Sequence, residues 1–484
     1  MKKFDLYNKI YLSILSAVSF FILFYSFKEN NIDNISVYLF SFLLILIILL
    51  LTFYFIIINH ISFYPINVLF NLYILVTTLF FLYNFDNIFN NTYPGLFNKL
   101  DKNTFIDLFN DSLKILILTV LFFNAGFFLT LKLFANKQYN LLPKLSEIEL
   151  IRLNFFLLLA KLLFIILYIV FGRGFVELQN PINLLIVLIS FYSLIFFEKN
   201  KLLNFFIIFF IFIENSVMTF SIYKNMILLI VLFIITYNLK KKISIFILLL
   251  LLAWVNFGQA YKNSIRWFLT SPQNQKYLEH LNLTDEALNA FKQLSLKGVP
   301  GLIGDTALEK IVSNYQQRPL ILRLSEPVVS LIRILEFEKI KKKVIKKDTL
   351  SILKYSMIPR FLFKNKPKQD FAAWYTDYFF NIYDEPGFSP SIVTYNIFWT
   401  SDFYINFKYL GSTILSFVIG VFLSIILTLI ANYKTNNINY LFGISIMSGI
   451  TLPDYNFSLM FSPLFLQFVF IFLMLKIIMK IIGK

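Results

Sequence analysis

The run SVYLFSFLLILIILLLTFYFIIIN, residues 36–59, contains no charged side chain. About 20 apolar residues in a helix are enough to cross a hydrocarbon core ~30 Å thick. Similar runs recur along the 484-residue chain, which is 58% hydrophobic and 15% charged, with a mean hydropathy of +0.72. Soluble domains carry about 25% charged residues. The sequence therefore predicts an all-α, polytopic membrane protein.

About twelve transmembrane helices can be drawn from the apolar runs. They lie near residues 10–27, 36–59, 63–84, 112–134, 150–171, 182–197, 202–220, 224–238, 243–258, 405–431, 438–452 and 458–480. When the connections are assigned alternately to the two sides, most lysines of the short connections fall on one side. The positive-inside rule makes that side cytoplasmic and places both termini there.

The remaining side receives one very long segment. We predict transmembrane helices 1–9 in residues 1–258, a periplasmic subdomain in 259–404, and helices 10–12 in 405–484. Helix-start signals in the long segment, among them Ser325-Glu326-Pro327, predict a large and mainly helical loop. After that start, Val328, Leu331, Ile332 and Leu335 form one apolar stripe. The lysine run at 339–347 is typical of a solvated face or of contact with anionic membrane lipids.

Charge and rare residues exclude several classes of function. The formal charge of +17 is explained by lysines at membrane edges, and no zinc-finger or RNA-binding signature accompanies it, so no nucleic-acid partner is expected. The chain has no cysteine and two histidines, which argues against thiolate and histidine-rich metal sites. We expect neither a metal nor a cofactor.

The arginines do not follow the lysines. Five of the seven arginines lie in segment 259–404, and Arg173 lies in another outer connection. The rigid, bidentate guanidinium matches phosphate geometry, so this distribution indicates recognition of a lipid-linked phosphate or diphosphate. Local ion pairs, such as Arg333 with Glu336, would give the same pattern.

Two charged residues lie well inside predicted spans rather than near their ends. Lys161 lies mid-span and Glu214 lies in the outer half of its span. Charges inside a membrane usually pair or line a polar cavity, so these two residues form either a structural pair or part of a substrate or ion path.

Two motifs resemble those of the Wzy-type oligosaccharide repeat-unit polymerases. The stretch IPRFLFKNKP, residues 358–367, resembles the family's iPR-hydrophobic-x-x-x-KP element late in a periplasmic loop. The stretch DFYINFKYLG, residues 402–411, resembles its acidic-x-Tyr-x-Asn-Phe-Gly-x-x-Gly element at the next span. Here Asp402 stands where the family more often has Glu, and Lys408 stands where it has Gly.

The resemblance implies a GT-C type glycosyltransferase in the bacterial inner membrane. Such an enzyme acts at the periplasmic face on undecaprenyl-diphosphate-linked repeat units, without nucleotide sugar or metal. It transfers the growing glycan to a sugar hydroxyl of the next unit with inversion. A chain-length-regulating co-polymerase is a further partner that the resemblance allows.

This reaction requires cations for the departing diphosphate and a carboxylate to accept the proton of the attacking hydroxyl. The candidate cations are Arg173, Arg266, Arg318, Arg323, Arg360 and Lys366. The candidate bases are Asp402, Asp370, Asp377 and Glu326, with the choice left open. The aromatic residues expected to stack on sugar rings are Trp374, Tyr375, Tyr378, Tyr395 and Tyr404. Because Pro359 and Pro367 frame residues 360–366, we expect Arg360 on an extended segment.

Three alternatives remain open at this stage. An O-antigen ligase-like enzyme would need a catalytic histidine in the outer loop, where only His280 is available. A mannosyltransferase-like enzyme would favour an acidic pair in the first outer loop, where Glu29 and Asp33 are not adjacent. A lipid-linked oligosaccharide flippase would explain the many spans and Lys161, but it would not need a folded outer segment.

Overall fold

The computed structural model describes most of the membrane-helix regions and parts of the long segment. The described residues are 2–29, 34–57, 64–90, 100–134, 142–171, 176–197, 201–219, 326–342, 345, 349–356, 358, 363, 371–380, 397–430, 438, 441–443, 445 and 457–483. All regular secondary structure within these residues is helical, which confirms the all-α prediction for this part of the chain.

Thirteen helices are numbered here in chain order within the described residues. They are α1 (Lys2–Glu29), α2 (Ile35–Ile57), α3 (Tyr64–Tyr83), α4 (Phe85–Asn90), α5 (Lys102–Phe134), α6 (Glu147–Phe171), α7 (Val176–Phe196), α8 (Lys201–Thr219), α9 (Glu326–Lys339), α10 (Leu353–Ser356), α11 (Ala372–Phe380), α12 (Trp399–Ile430) and α13 (Phe457–Ile482). Nine of the twelve predicted spans coincide with helices, whereas 224–238 and 243–258 lie outside the described residues and 438–452 is described at only a few positions.

Four described helices are long and apolar enough to cross a membrane. Their spanning stretches are Ile35–Thr52, Lys102–Thr130, Glu147–Leu167 and Trp399–Ile425. The side chains on them are arranged as membrane proteins require, with large apolar groups on the outside and small polar groups inside. On α12, for example, Leu410 and Val418 are exposed, whereas Ser416 and Ser424 are buried. This distribution supports association with a membrane.

The central contact of the fold joins α5 and α12 through two glycines. A Cβ atom on Gly126 would lie 2.2 Å from the Phe417 carbonyl oxygen, and one on Gly420 would lie 2.1 Å from the Phe123 carbonyl oxygen. The two backbones therefore touch directly. Helices in lipid associate mainly through such close packing at small residues, because lipid is as apolar as the side chains.

Polar side chains reinforce several helix pairs inside the bundle. Asn71 on α3 and Asn124 on α5 exchange amide hydrogen bonds of 3.2 and 3.0 Å, and both residues are buried. The Asn154 amide on α6 donates to the Ser190 hydroxyl on α7 at 2.8 Å. Interhelical hydrogen bonds of this kind contribute about 0.6 kcal/mol each in membrane bundles, so they supplement the glycine contact.

The start of α5 differs from the sequence prediction. The helix begins at Lys102, ten residues before the predicted span at 112–134. Asp101 caps this end, because its carboxylate accepts a 2.8 Å hydrogen bond from the Thr104 backbone N–H and a 2.6 Å bond from the Thr104 hydroxyl. An N-cap satisfies backbone donors that have no partner within the helix, so the helix extends beyond the apolar run.

Helix α9 confirms the predicted start signal, and more of it is buried than the predicted stripe. It begins at Glu326 with Pro327 in its first turn, as the sequence predicts. The predicted stripe of Val328, Leu331, Ile332 and Leu335 is buried, but Val329 and Ile334 on other faces are buried as well. The helix packs against α3, α5, α11 and α12, so it is enclosed by the bundle rather than half-exposed.

Helix α12 consists of two arms that meet at Lys408. This residue has φ 59° and ψ −150°, a backbone region occupied almost only by glycine and costing other residues about 1–3 kcal/mol. A Cβ atom on Gly411 would lie 1.9 Å from the Phe407 Cβ, so the bend also requires a glycine there. We call residues 399–407 the short arm and 409–430 the long arm.

Aromatic contacts show that the short arm turns back beside α5. The Trp399 ring lies 5.6 Å from the Phe70 ring, which lies 4.2 Å from the Phe123 ring. Gly420 on the long arm contacts the backbone of the same Phe123. A straight helix would separate residues 399 and 420 by roughly 30 Å at ~1.5 Å per residue, so the short arm folds back beside α5.

Gly420→Ala should destabilise the fold strongly. The new methyl group would overlap the Phe123 carbonyl oxygen, and relief requires α5 and α12 to separate, at a cost of about 2–3 kcal/mol. We expect a lower midpoint in thermal denaturation of the protein in detergent micelles. The lipid-facing Val418→Leu on the same helix is the matched control and should leave the midpoint unchanged. Equal midpoints for both variants would contradict the close contact.

The cap of α5 should weaken in acid. Hydrogen bonds from the Thr104 hydroxyl and backbone N–H hold the pKa of the Asp101 carboxyl below its usual value of 3.8. The cap therefore stabilises the helix end above about pH 4 and is lost as pH falls through the lowered pKa. Hydrogen-exchange protection at Thr104 should drop from pH 6 to pH 3 in the wild type. Asp101→Asn, which caps without titrating, should show no such drop, and equal drops in both would contradict this assignment.

Candidate functional site

The acidic residue of the second motif lies at the start of the short arm. Asp402 is in the first turn of α12 and is fully buried. Its carboxylate accepts a hydrogen bond from the Thr349 hydroxyl. The Asn406 amide, one turn further along, donates to the Asp402 backbone carbonyl at 2.8 Å and lies 3.4 Å from the carboxylate. We call these three residues the Asp402 cluster.

Thr349 and Asn406 also bind each other. The Thr349 backbone N–H donates to the Asn406 side-chain oxygen at 3.3 Å, and the Asn406 amide donates to the Thr349 hydroxyl at 2.5 Å. Two atoms of Thr349 are therefore fixed by α12, so the chain at position 349 is held tightly against the short arm. The cluster joins the long segment to the helix that follows it.

A second polar contact lies beside the cluster. The Ser330 hydroxyl on α9 and the Ser401 hydroxyl on α12 are 2.7 Å apart and buried. The Tyr375 hydroxyl on α11 donates to the Ser330 backbone carbonyl at 3.4 Å. These bonds align α9, α11 and the short arm, and they give the surroundings of Asp402 a fixed geometry.

Charged side chains join α5, α9 and the bend of α12. Asp111 pairs with Lys114 at 2.9 Å and also with Lys339. Lys408 pairs with Glu338 at 3.0 Å, and its ammonium group lies 5.4 Å from the centre of the Tyr404 ring. The two ends of the short arm therefore differ: a buried carboxylate lies near its start and a half-exposed cation lies at its end.

Arg333 and Glu336 form the ion pair that the sequence allowed as an alternative to phosphate binding. Both side chains are buried and their charged groups are in contact. The Arg333 guanidinium also donates to the Phe379 carbonyl through Nε at 2.8 Å and Nη2 at 2.5 Å. Since Phe379 lies at the end of α11, this arginine caps that helix. Its role in this structure is therefore structural.

The predicted aromatic residues lie in two environments. Trp374 and Tyr378 are partly buried on one face of α11, with ring centres 5.5 Å apart. Tyr375 and Tyr404 are only 1% and 2% exposed, and their rings contact Phe379 and Tyr409. Among the four of these aromatic residues that the structure describes, Trp374 and Tyr378 are therefore the two accessible for stacking on a sugar ring.

All six predicted diphosphate ligands lie outside the described residues, as do one candidate base and one candidate aromatic residue. These are Arg173, Arg266, Arg318, Arg323, Arg360, Lys366, Asp370 and Tyr395. Glu326 begins α9, but its side chain is also outside the description. Asp377 is exposed on α11. That the fold places these arginines close to an acidic residue stays a prediction from the sequence.

The two intramembrane charges are also described only in part. Lys161 is buried on α6. Glu214 lies on α8, but its side chain is outside the described part of the structure. The predicted pair between them stays a prediction.

Sequence reasoning missed Thr349. It is a single threonine after a lysine run, 53 residues before Asp402, and no local pattern singles it out. Asn406 belongs to the motif, and its four-residue spacing from Asp402 places both on one helix face. That spacing was the available signal for part of the cluster.

Comparison of the chain with protein-family models, with curated proteins and with solved structures returns no match. Evidence for a function comes from the two motifs and from the geometry around Asp402.

Breaking the Arg333–Glu336 pair should destabilise the protein. Arg333→Met leaves a buried carboxylate with one partner fewer and α11 without its cap, at a cost of about 3 kcal/mol in unfolding free energy. The double variant Arg333→Met with Glu336→Leu should recover part of this loss, because no buried charge remains unpaired. Unfolding in mixed micelles with increasing dodecyl sulfate measures both. A double variant less stable than the single one would contradict this account.

Proposed function

We propose that the chain polymerises undecaprenyl-diphosphate-linked oligosaccharide repeat units at the periplasmic face of the bacterial inner membrane. The proposal includes about twelve spans, cytoplasmic termini, and an outer segment 259–404 that carries the site. The observation that supports it most is the buried Asp402, held by Thr349 and Asn406 at the position where the resembling polymerases carry an acidic group.

In the proposed reaction, an acceptor sugar hydroxyl attacks the first carbon of the growing glycan. The new glycosidic bond forms as the bond to the lipid diphosphate breaks, and the configuration at that carbon inverts. A carboxylate takes the hydroxyl proton, and the diphosphate leaves with the bonding electrons. Fixed cations stabilise this leaving group and lower the barrier.

Asp402 is our first candidate for the base. Its carboxylate is fixed by neighbouring donors and shielded from bulk water. Electrostatic interactions are stronger in such a shielded site than in water. A hydroxyl reaches it only if the chain at Thr349 moves aside, because Thr349 covers the carboxylate in this structure. Asp370 and Glu326 remain candidates from the sequence.

The structure also supplies the physical basis of two glycine positions in the resembling motif. The conformation of Lys408 is one that favours glycine, and Gly411 has no room for a Cβ atom. The motif pattern is therefore consistent with a bend between an acidic short arm and a membrane-crossing long arm. This agreement supports the resemblance without depending on any single residue.

Buried Lys161 is the observation that favours a second candidate, a lipid-linked oligosaccharide flippase. A charge in the interior of a membrane helix often marks a transport path. The surface polysaccharide of a deletion strain distinguishes the two candidates.

Surface polysaccharide of a deletion strain, profiled on gels, tests the proposed function. Loss of a polymerase should leave lipid capped with a single repeat unit. Absence of all capped lipid would instead indicate a flippase or a ligase, and an unchanged ladder would contradict the whole proposal. Complementation with Asp402→Asn should restore protein but at least a hundredfold less polymer, since general base catalysis contributes about 10²–10⁴-fold.

Five variants complete this test. Asp370→Asn and Glu326→Gln, each expressed to the same level, identify the base if Asp402→Asn retains polymer. Thr349→Ser keeps the hydroxyl that binds Asp402 and should behave like the wild type. Arg360→Ala and Arg360→Lys test the diphosphate contact, and near-normal polymer in both would exclude that role.

A further inference from the structure

The bend of α12 exposes an unusual combination of side chains. Phe407 and Leu410 are 53% and 70% exposed, on either side of Lys408. The side chains of Lys339, Lys341 and Lys408 are 43%, 37% and 45% exposed. We call these five residues the bend patch. The ion pair between Lys408 and Glu338 places the bend next to the end of α9, where Lys339 and Lys341 lie.

The bend patch lies at the end of a lipid-facing stripe. Ile414, Val418, Phe422 and Ile425 on the long arm are exposed, whereas Ser412, Ser416, Gly420 and Ser424 on its other face are buried. A helix with its apolar side chains outward and its small residues inward faces hydrocarbon. Lysines at the end of such a stripe reach headgroup depth, with their aliphatic stems along apolar surface.

The charge around the bend patch is positive. Its ion pairs contain five cations but only three carboxylates. Asp111 pairs with Lys114 and Lys339, Glu336 pairs with Arg333 and Lys341, and Glu338 pairs with Lys408. Lys342, the next lysine along the chain, is also exposed. A shared carboxylate neutralises its partners incompletely, so an anion is attracted to this surface.

The backbone of Lys408 provides an independent observation. Its φ of 59° and ψ of −150° lie in a region that favours glycine. A lysine here strains the backbone, and its ammonium group makes a half-exposed ion pair with Glu338 and a contact with the Tyr404 ring. Strain retained at one residue indicates a functional role for its side chain, and this side chain is a cation directed to the surface.

We propose that the bend patch binds the phosphate of an anionic phospholipid, with the acyl chains lying along the exposed face of the long arm. Lys408 and Lys341 contact the phosphate, while Phe407 and Leu410 enter the acyl region. An ammonium group has three N–H donors, so Lys408 retains its contact with Glu338 while it binds phosphate. This proposal concerns a lipid site and does not depend on the proposed polymerase activity.

A lipid titration of the purified full chain tests the site. Dioleoylphosphatidylglycerol added to neutral detergent micelles should raise the thermal midpoint, whereas zwitterionic dioleoylphosphatidylcholine should not. Lys408→Gln and Lys341→Gln should each raise the lipid concentration for half-maximal shift about fivefold, as expected for one lysine near an anionic surface. The control Lys201→Gln, an exposed lysine at the start of α8, should leave it unchanged.

Lys408→Gly separates charge from strain. Glycine fits the backbone at this bend, so the variant should have a higher midpoint without lipid than the wild type. It should nevertheless show the same weakened response to phosphatidylglycerol as Lys408→Gln. A response equal to that of the wild type in both Lys408 variants would overturn the proposal. So would an equal midpoint shift from inorganic phosphate at the same ionic strength, because that result indicates a site for free anions.

Discussion

The direct contact between the backbones of α5 and α12 is the constraint on which the other features depend. Gly126 and Gly420 allow it, since any side chain at either position would collide with a carbonyl oxygen. In hydrocarbon there is no hydrophobic force to drive helices together, so close backbone packing must supply the attraction. Once the long arm is fixed on α5, the bend directs the short arm back along α5. That placement brings Lys408 and the Asp111 region to the same end of α9.

The lengths of apolar runs predict where membrane helices lie but not where they end. Runs such as 36–59 coincide with helices because a membrane span needs little besides apolar length. Helix α5 extends ten residues further because Asp101 caps it, and α12 starts at Trp399 because its first turns are buried among polar contacts. The start of α9 was predictable from Glu326-Pro327. It is enclosed because α3, α5, α11 and α12 pack around it, and no local sequence pattern predicts that packing.

The candidate site, like the helices, was predictable from the sequence only in part. Asp402 and Asn406 were accessible from the sequence because they share a motif and a helix face. Thr349 was not, because its contact with Asp402 is created by the folding of a distant segment. Lys408 was noticed only as a departure from glycine. The structure shows why this departure matters. The reversal of α12, and not the neighbouring residues, imposes the positive φ on Lys408.

The buried and exposed ends of the short arm are mechanically linked. Six residues separate Asp402 from Lys408, which is ~9 Å along a helix. The arm is held near its start by the hydrogen bonds of Asp402 and Ser401, and at its end by the ion pair between Lys408 and Glu338. The contact of the Lys408 ammonium therefore adds to those that hold the Asp402 carboxylate in position. A lipid phosphate at the bend patch would thus stabilise one orientation of the candidate base, and a site built this way would respond to the composition of the membrane around it.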